Sequence, residues 1–182
     1  MGSKKILFIE GTSDRSNGTL SQGFHKLIRQ LVDREKMPRI IMGNGKNQAI
    51  RKFKNNRLSD FSYLLIDLDE EEEQKEAELK SLNLGQHEDF VFFMVQEMEA
   101  WFISQPEILE RHYKEKITPK LPKTDPTKIK DPTAVLEKIT KDTTKGKYHK
   151  VKDGTALLEM LNANRLKSSF KEFGTMVSKI SQ

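Results

Sequence analysis

Short apolar runs alternate along the chain with longer stretches in which apolar residues recur every three or four positions. Lys5–Ile9 is a run of the first kind, a buried strand closed by Glu10-Gly11. Residues 11–18 form a loop of Gly, Ser, Thr, Asp and Asn. A helix follows with Leu20, Phe24, Leu27, Ile28, Leu31 and Val32 on one face, and Thr12 or Thr19 available as a cap. Pro38 introduces a second strand, Arg39–Met42, which Gly43-Asn44-Gly45 turns into a helix over Lys46–Asn55 with Ala49, Ile50 and Phe53 inward. The third strand is Tyr63–Ile66, with Asp67 directly behind it. A charged helix over Glu70–Leu82 buries Ala77, Leu79 and Leu82. The fourth strand is Phe90–Val95, and a helix from Met98 runs past Pro106 to Tyr113.

Strands alternating with helices predict an α/β fold: a mostly parallel, Rossmann-like sheet of four strands flanked by helices. The near-unbroken apolar run Phe90–Val95 is what a strand buried on both faces requires. The pattern changes after Tyr113. Residues 114–131 carry three of the six prolines and read as irregular, and Pro132 opens a helix with Ala134, Val135, Leu136 and Ile139. Residues 143–152 read as a polar basic loop, and helices over Thr155–Asn164 and Lys167–Ile180 close the chain. The expected organisation is an α/β domain over 1–110 with a basic, mostly helical extension over 111–182 packing on it.

Composition narrows the chemistry. The 182 residues include no cysteine, which removes disulfides, thiolate metal sites and a cysteine nucleophile. No apolar run approaches the roughly 20 residues of a membrane span, so a soluble chain of the reducing cytoplasm is expected. The net charge of +5 is unevenly spread: residues 111–152 hold 13 Lys or Arg against 5 Asp or Glu, a net of +8, which leaves −3 for the rest. A basic half beside an acidic half suits a protein that steers a polyanion, DNA or RNA, toward a cation site. A lysine-rich solvated surface is the competing reading.

The candidate chemistry lies where strands end. Glu10 follows the first strand, Asp67 and Asp69 the third, and Glu97 and Glu99 the fourth. Carboxyl ends of parallel strands share one crevice, and carboxylates crowded there repel each other unless a hard cation such as Mg²⁺ or Mn²⁺ joins them. Such an ion polarises a phosphoryl oxygen and activates water, and Glu10 can alternatively act in proton transfer. A helix starting near Gln96 sends Glu97 and Glu99 to different sides, so one of the two reaches the site and either can be that one. Each acid can instead cap the helix that follows it. From the basic loop, Lys147 and Lys150 are candidates to neutralise a phosphoryl transition state, and His149 to contact phosphate. His25 and His87 read as surface residues, while His112 lies among bases. Trp101 reads as core, with base stacking the weaker alternative.

Glu-Gly after a first strand and Asp-x-Asp after a third, in βαβαβαβ order, resemble the TOPRIM domain of topoisomerases, primases and OLD-type nucleases over residues 4–103. Residues 9–14 (IEGTSD) with 95–102 (VQEMEAWF) are similar to a bacterial group of TOPRIM-like proteins often encoded beside an ABC- or AAA-type ATPase. The resemblance implies a Mg²⁺-dependent nuclease, with relatives acting in phage defence. It implies that Glu10, Asp67 and Asp69 bind the ion, that Glu97 or Glu99 serves a second one, and that Asp14 stands where a further acid often occurs. The tyrosine motif of topoisomerases is lacking. The alternative is a catalytically silent docking or sensor subunit of an ATPase complex.

Overall fold

The computed structural model describes residues 5–12, 20–56 and 61–182. Within them lie β1 (Lys5–Ile9), α1 (Leu20–Arg29), β2 (Arg39–Met42), α2 (Lys46–Asn55), β3 (Phe61–Asp67), α3 (Lys75–Ser81), β4 (Val91–Met94), α4 (Met98–Ile103), α5 (Pro106–Tyr113), α6 (Pro132–Thr140), α7 (Lys150–Met160), α8 (Ala163–Ser169) and α9 (Lys171–Ile180). The strands form one parallel sheet in the order β2-β1-β3-β4. The chain passes from β1 outward to β2, then crosses back past β1 to β3 and on to β4, so the direction of winding reverses between β1 and β3. Ligand crevices of open α/β sheets form at such a switch point.

Side chains alternate across the sheet and split the core in two. Leu7, Ile9, Tyr63, Leu65, Phe92 and Met94 face α1 and the helices from α4 onward. Ile6, Phe8, Leu64, Ile66, Val91 and Phe93 face α2 and α3. The larger core is continuous across residue 110: Trp101, fully buried, meets the rings of Phe24, Phe170 and Phe173 edge-on. Residues 111–182 therefore complete the sheet's own core, and Trp101 presents no face for stacking a base.

Several boundaries differ from the sequence pattern for identifiable reasons. β3 starts two residues earlier than expected and includes Asp67, while β4 ends at Met94. The charged stretch after β3 is a 3-10 turn, Glu72–Gln74, followed by the short α3; only Leu79 of α3 is buried and Ala77 is exposed, because the helix rides on the surface. The helix from Met98 breaks at Gln105 (φ −130°, ψ 71°), because a residue preceding proline is pushed out of the helical region; Pro106 then opens α5. At Phe170 (φ −126°, ψ 101°) the backbone extends and places that ring on Trp101, which divides the expected final helix into α8 and α9. The basic loop ends early, since α7 starts at Lys150 and ends at Met160. Thr19 lies outside the described residues. Among the described residues, no helix is long and apolar enough to cross a membrane.

Candidate active site at the carboxyl edge of the sheet

Asp67 is the centre of the site, and strand parity puts it there. Tyr63, Leu65 and Asp67 share the face that packs against the larger helical layer, so the carboxylate at the end of β3 points under α4 and α7 rather than into solvent. It is 5% exposed. Its Oδ1 accepts the N–H of Met98, the first residue of α4, at 3.1 Å, which complements that helix's dipole. Its Oδ2 lies 3.4 Å from Lys150 Nζ. Glu10, half-buried at the end of β1, accepts the backbone N–H of Asp67 on Oε2 at 3.0 Å.

Glu99 supplies the third acid. It is fully buried in the first turn of α4. Oε1 accepts the hydroxyl of Tyr148 at 2.8 Å, while Oε2 receives no hydrogen bond and lies 3.5 Å from Lys150 Nζ. Lys150 is thus shared between Asp67 and Glu99. Glu97, one residue before α4, turns away to the start of α6, where its Oε2 accepts Thr133 N–H at 3.1 Å and Thr133 Oγ1–H at 2.7 Å. Of the two glutamates, Glu99 faces the site.

Asp69 arrives through an uncommon backbone. Asp69 and Gln96 both sit in the left-handed region, at φ 62° and 59°, a conformation costing non-glycine residues about 1–2 kcal/mol. The two strand ends hold each other there, with Asp69 N–H bound to Gln96 O at 2.7 Å and Gln96 N–H to Glu70 O at 3.0 Å. The Asp69 carboxylate accepts from Lys46, whose ammonium also lies 3.5 Å from Glu78. Lys46 opens α2, and Gly43 makes that position possible: a Cβ there would fall 2.4 Å from the Cβ of Ala49. β2 and α2 therefore meet closely, with Lys46 at the sheet edge.

The charges act on one another. Burial pushes the Asp67 carboxyl up to about 7; Lys150 opposes this, and Glu10, Glu99 and Asp69 add to it. Burial likewise raises Glu10, against the Asp67 N–H and Lys46. Burial works against the charge on Lys150, but Asp67, Glu99 and Glu97 outweigh it and hold the ammonium above the ordinary lysine range. Lys46 is raised in the same way, Asp69 overcoming burial.

Of the residues expected at the site, Glu10, Asp67, Asp69, Glu99 and Lys150 are brought together. Lys147 is not: it pairs with Glu137 at 3.0 Å on an exposed surface. His149 caps α7 with its ring, its Nδ1 accepting Lys152 N–H at 3.3 Å. Asp14 lies outside the described residues. Lys46 and Tyr148 are additions; the Gly-Asn-Gly turn at the end of β2 was the available signal for Lys46.

The donor set fits a hard divalent cation in its chemistry. Carboxylates that raise one another's pKa, and an Oε2 on Glu99 that is buried without a hydrogen bond, call for positive charge. The geometry answers that call with ammonium groups: among the described residues, no three His, Asp or Glu side chains are placed to hold one ion.

Fold and site together define a parallel α/β protein with an acid–lysine cluster at its topological switch point. The chain belongs to the family described as Domain of unknown function (DUF4276), whose model matches residues 9–181 and so takes in every residue of the cluster. No curated protein and no solved structure matches it.

Proposed function

We propose that this chain is a metal-dependent nuclease of TOPRIM type, hydrolysing phosphodiesters of DNA or RNA in the cytoplasm with Mg²⁺ or Mn²⁺. The observation that carries the reading is the meeting of Asp67 and Glu99 on Lys150, with Glu10 bound to the Asp67 N–H, at the carboxyl ends of β1 and β3. Glu10, Asp67 and Asp69, with Glu99 as a further ligand, would hold the ion once Lys46 and Lys150 release the carboxylates they now face, and the ion would supply Lewis acidity toward a phosphoryl oxygen. Lys150 offers positive charge to the oxygens of the transition state. Glu10, whose carboxyl is raised above its ordinary value by burial, is placed to act in proton transfer. The lysine-rich stretch 111–152 draws the polyanion in. An ABC- or AAA-type ATPase partner and a role in phage defence extend the same reading.

One observation favours a second reading, a silent docking or sensor subunit of an ATPase complex. Asp67, Asp69 and Glu99 already face two lysines of the same chain, so the cluster's charge is partly balanced from within.

Cleavage decides between them. Purified protein is incubated with Mg²⁺ or Mn²⁺ and plasmid, single-stranded DNA and transfer RNA, beside Asp67→Ala. Cleavage lost in the variant supports the nuclease. Equal cleavage by both removes it, and no cleavage with or without an ATPase leaves the docking subunit.

A further inference from the structure

The residues around Lys150 form a second buried polar group, which the proposed chemistry does not use. His112, in the last turn of α5, is 5% exposed, and its Nε2 lies 2.9 Å from Asp153 Oδ1. Asp153 Oδ2 accepts the backbone N–H of His149 at 2.9 Å, and the His149 ring in turn accepts Lys152 N–H. This reciprocal cap closes the first turn of α7, the turn whose leading residue is Lys150. The residue before the cap is fixed as well: Tyr148 N–H binds Thr140 Oγ1 at 2.8 Å and its hydroxyl binds Glu99. Burial works against the charge on Asp153, but its bonds from His112 and His149 prevail and hold it below the usual carboxylate range. An ionised carboxylate only accepts, so His112 Nε2 carries the proton.

We infer that His112, acting through Asp153, is the positioning residue that holds Lys150 between Asp67 and Glu99. The inference rests on the reading of this edge as the catalytic site. A buried His–Asp pair is seldom the most stabilising way to fill such a space, because desolvation offsets its attraction. What the pair supplies is orientation. Asp153 binds the cap of α7 with one oxygen and α5 with the other, so α5, α6 and α4 each fix one of the residues 148–150 or its cap. The Lys145 ammonium lies 3.2–3.3 Å from the two ring nitrogens, on the open side of the pair.

The test reads the Lys150 amine itself and needs no substrate. An ammonium held by two carboxylates acylates slowly, whereas exposed Lys147 is an internal standard. Trace acetic anhydride labelling with peptide mass spectrometry gives the ratio of the two rates in the full chain. His112→Phe keeps a ring but removes the donor; His112→Gln keeps a donor close to the Nε2 position. The expected result is a rise of about tenfold in the Lys150 to Lys147 ratio in His112→Phe, the change produced when its ion pairs weaken by about 1.4 kcal/mol. The ratio returns toward the wild-type value in His112→Gln. Asp153→Asn, close to isosteric, gives the same rise should His112→Phe not fold. A lower melting temperature with an unchanged ratio in folded His112→Phe and Asp153→Asn overturns the inference. Loss of the nuclease reading alone would leave the labelling result standing.

Discussion

The Lys150 ammonium stands 3.4 Å from Asp67 Oδ2, although 83 positions separate the two residues in the chain. The contact exists because β3 ends on the face that α7 covers and α7 begins with the lysine. Gly23 helps seat α7 there, since a Cβ at that point of α1 would come within 2.8 Å of Leu158.

Removing the cation exposes what it balances. Lys150→Met leaves Asp67 and Glu99 buried without their counter-charge, each keeping one hydrogen bond, and lowers stability by about 1–3 kcal/mol, the usual penalty for a stranded buried polar group. The loss is larger at pH 8 than at pH 5, where Asp67 takes up a proton. Urea denaturation at the two pH values measures it; equal losses would show that the lysine does not balance Asp67.

Asp67 sets a pH dependence of definite sign. Its folded pKa of about 7 exceeds the ordinary 3.8, so between those values the folded chain binds more protons than the unfolded chain. The stability this contributes is complete below pH 4 and is lost as pH rises through 7, a span equivalent to at most about 4 kcal/mol. Asp67→Asn removes the slope. Relative to wild type, the variant gains stability from pH 5 to pH 8 in chemical denaturation.

Trp101 reports on the core. It is fully buried among Phe24, Phe170 and Phe173. Its fluorescence is therefore blue-shifted and poorly quenched by iodide, and added single-stranded DNA leaves it unchanged. Phe173→Ala costs about 3–5 kcal/mol and shifts the emission to the red.

Any binding of a polyanion through residues 111–152 rests on their net +8. Affinity then falls steeply with salt, roughly one power of the salt concentration for each phosphate neutralised. Filter binding of labelled DNA between low and moderate salt tests this, and a flat response excludes the basic stretch as the contact surface.

Where local pattern decides, the sequence was a good guide. α2 has the expected bounds because Gly43-Asn44-Gly45 opens it and Ala49, Ile50 and Phe53 form one inward stripe. Glu10 and Asp67 could be placed because each closes an unbroken apolar strand. What was not legible depends on distant partners. α7 starts in a basic stretch with no apolar period, since its cap is His149 with Asp153 and its anchor is His112, 41 positions before Asp153. Glu97 and Glu99 could not be told apart until Thr133 claimed the first and Tyr148 the second. Lys46 went unnoticed because only the sheet order brings the end of β2 near Asp69.

Manganese binding tests the central claim most directly. Electron paramagnetic resonance of free Mn²⁺ at low ionic strength counts the ions that the chain takes up, and Mg²⁺ competes for the same position. Wild-type chain is expected to remove the free signal saturably, while Asp67→Asn and Glu10→Gln each weaken uptake at least tenfold. Uptake that is absent, or equal in all three proteins, would contradict a cation site at the ends of β1 and β3.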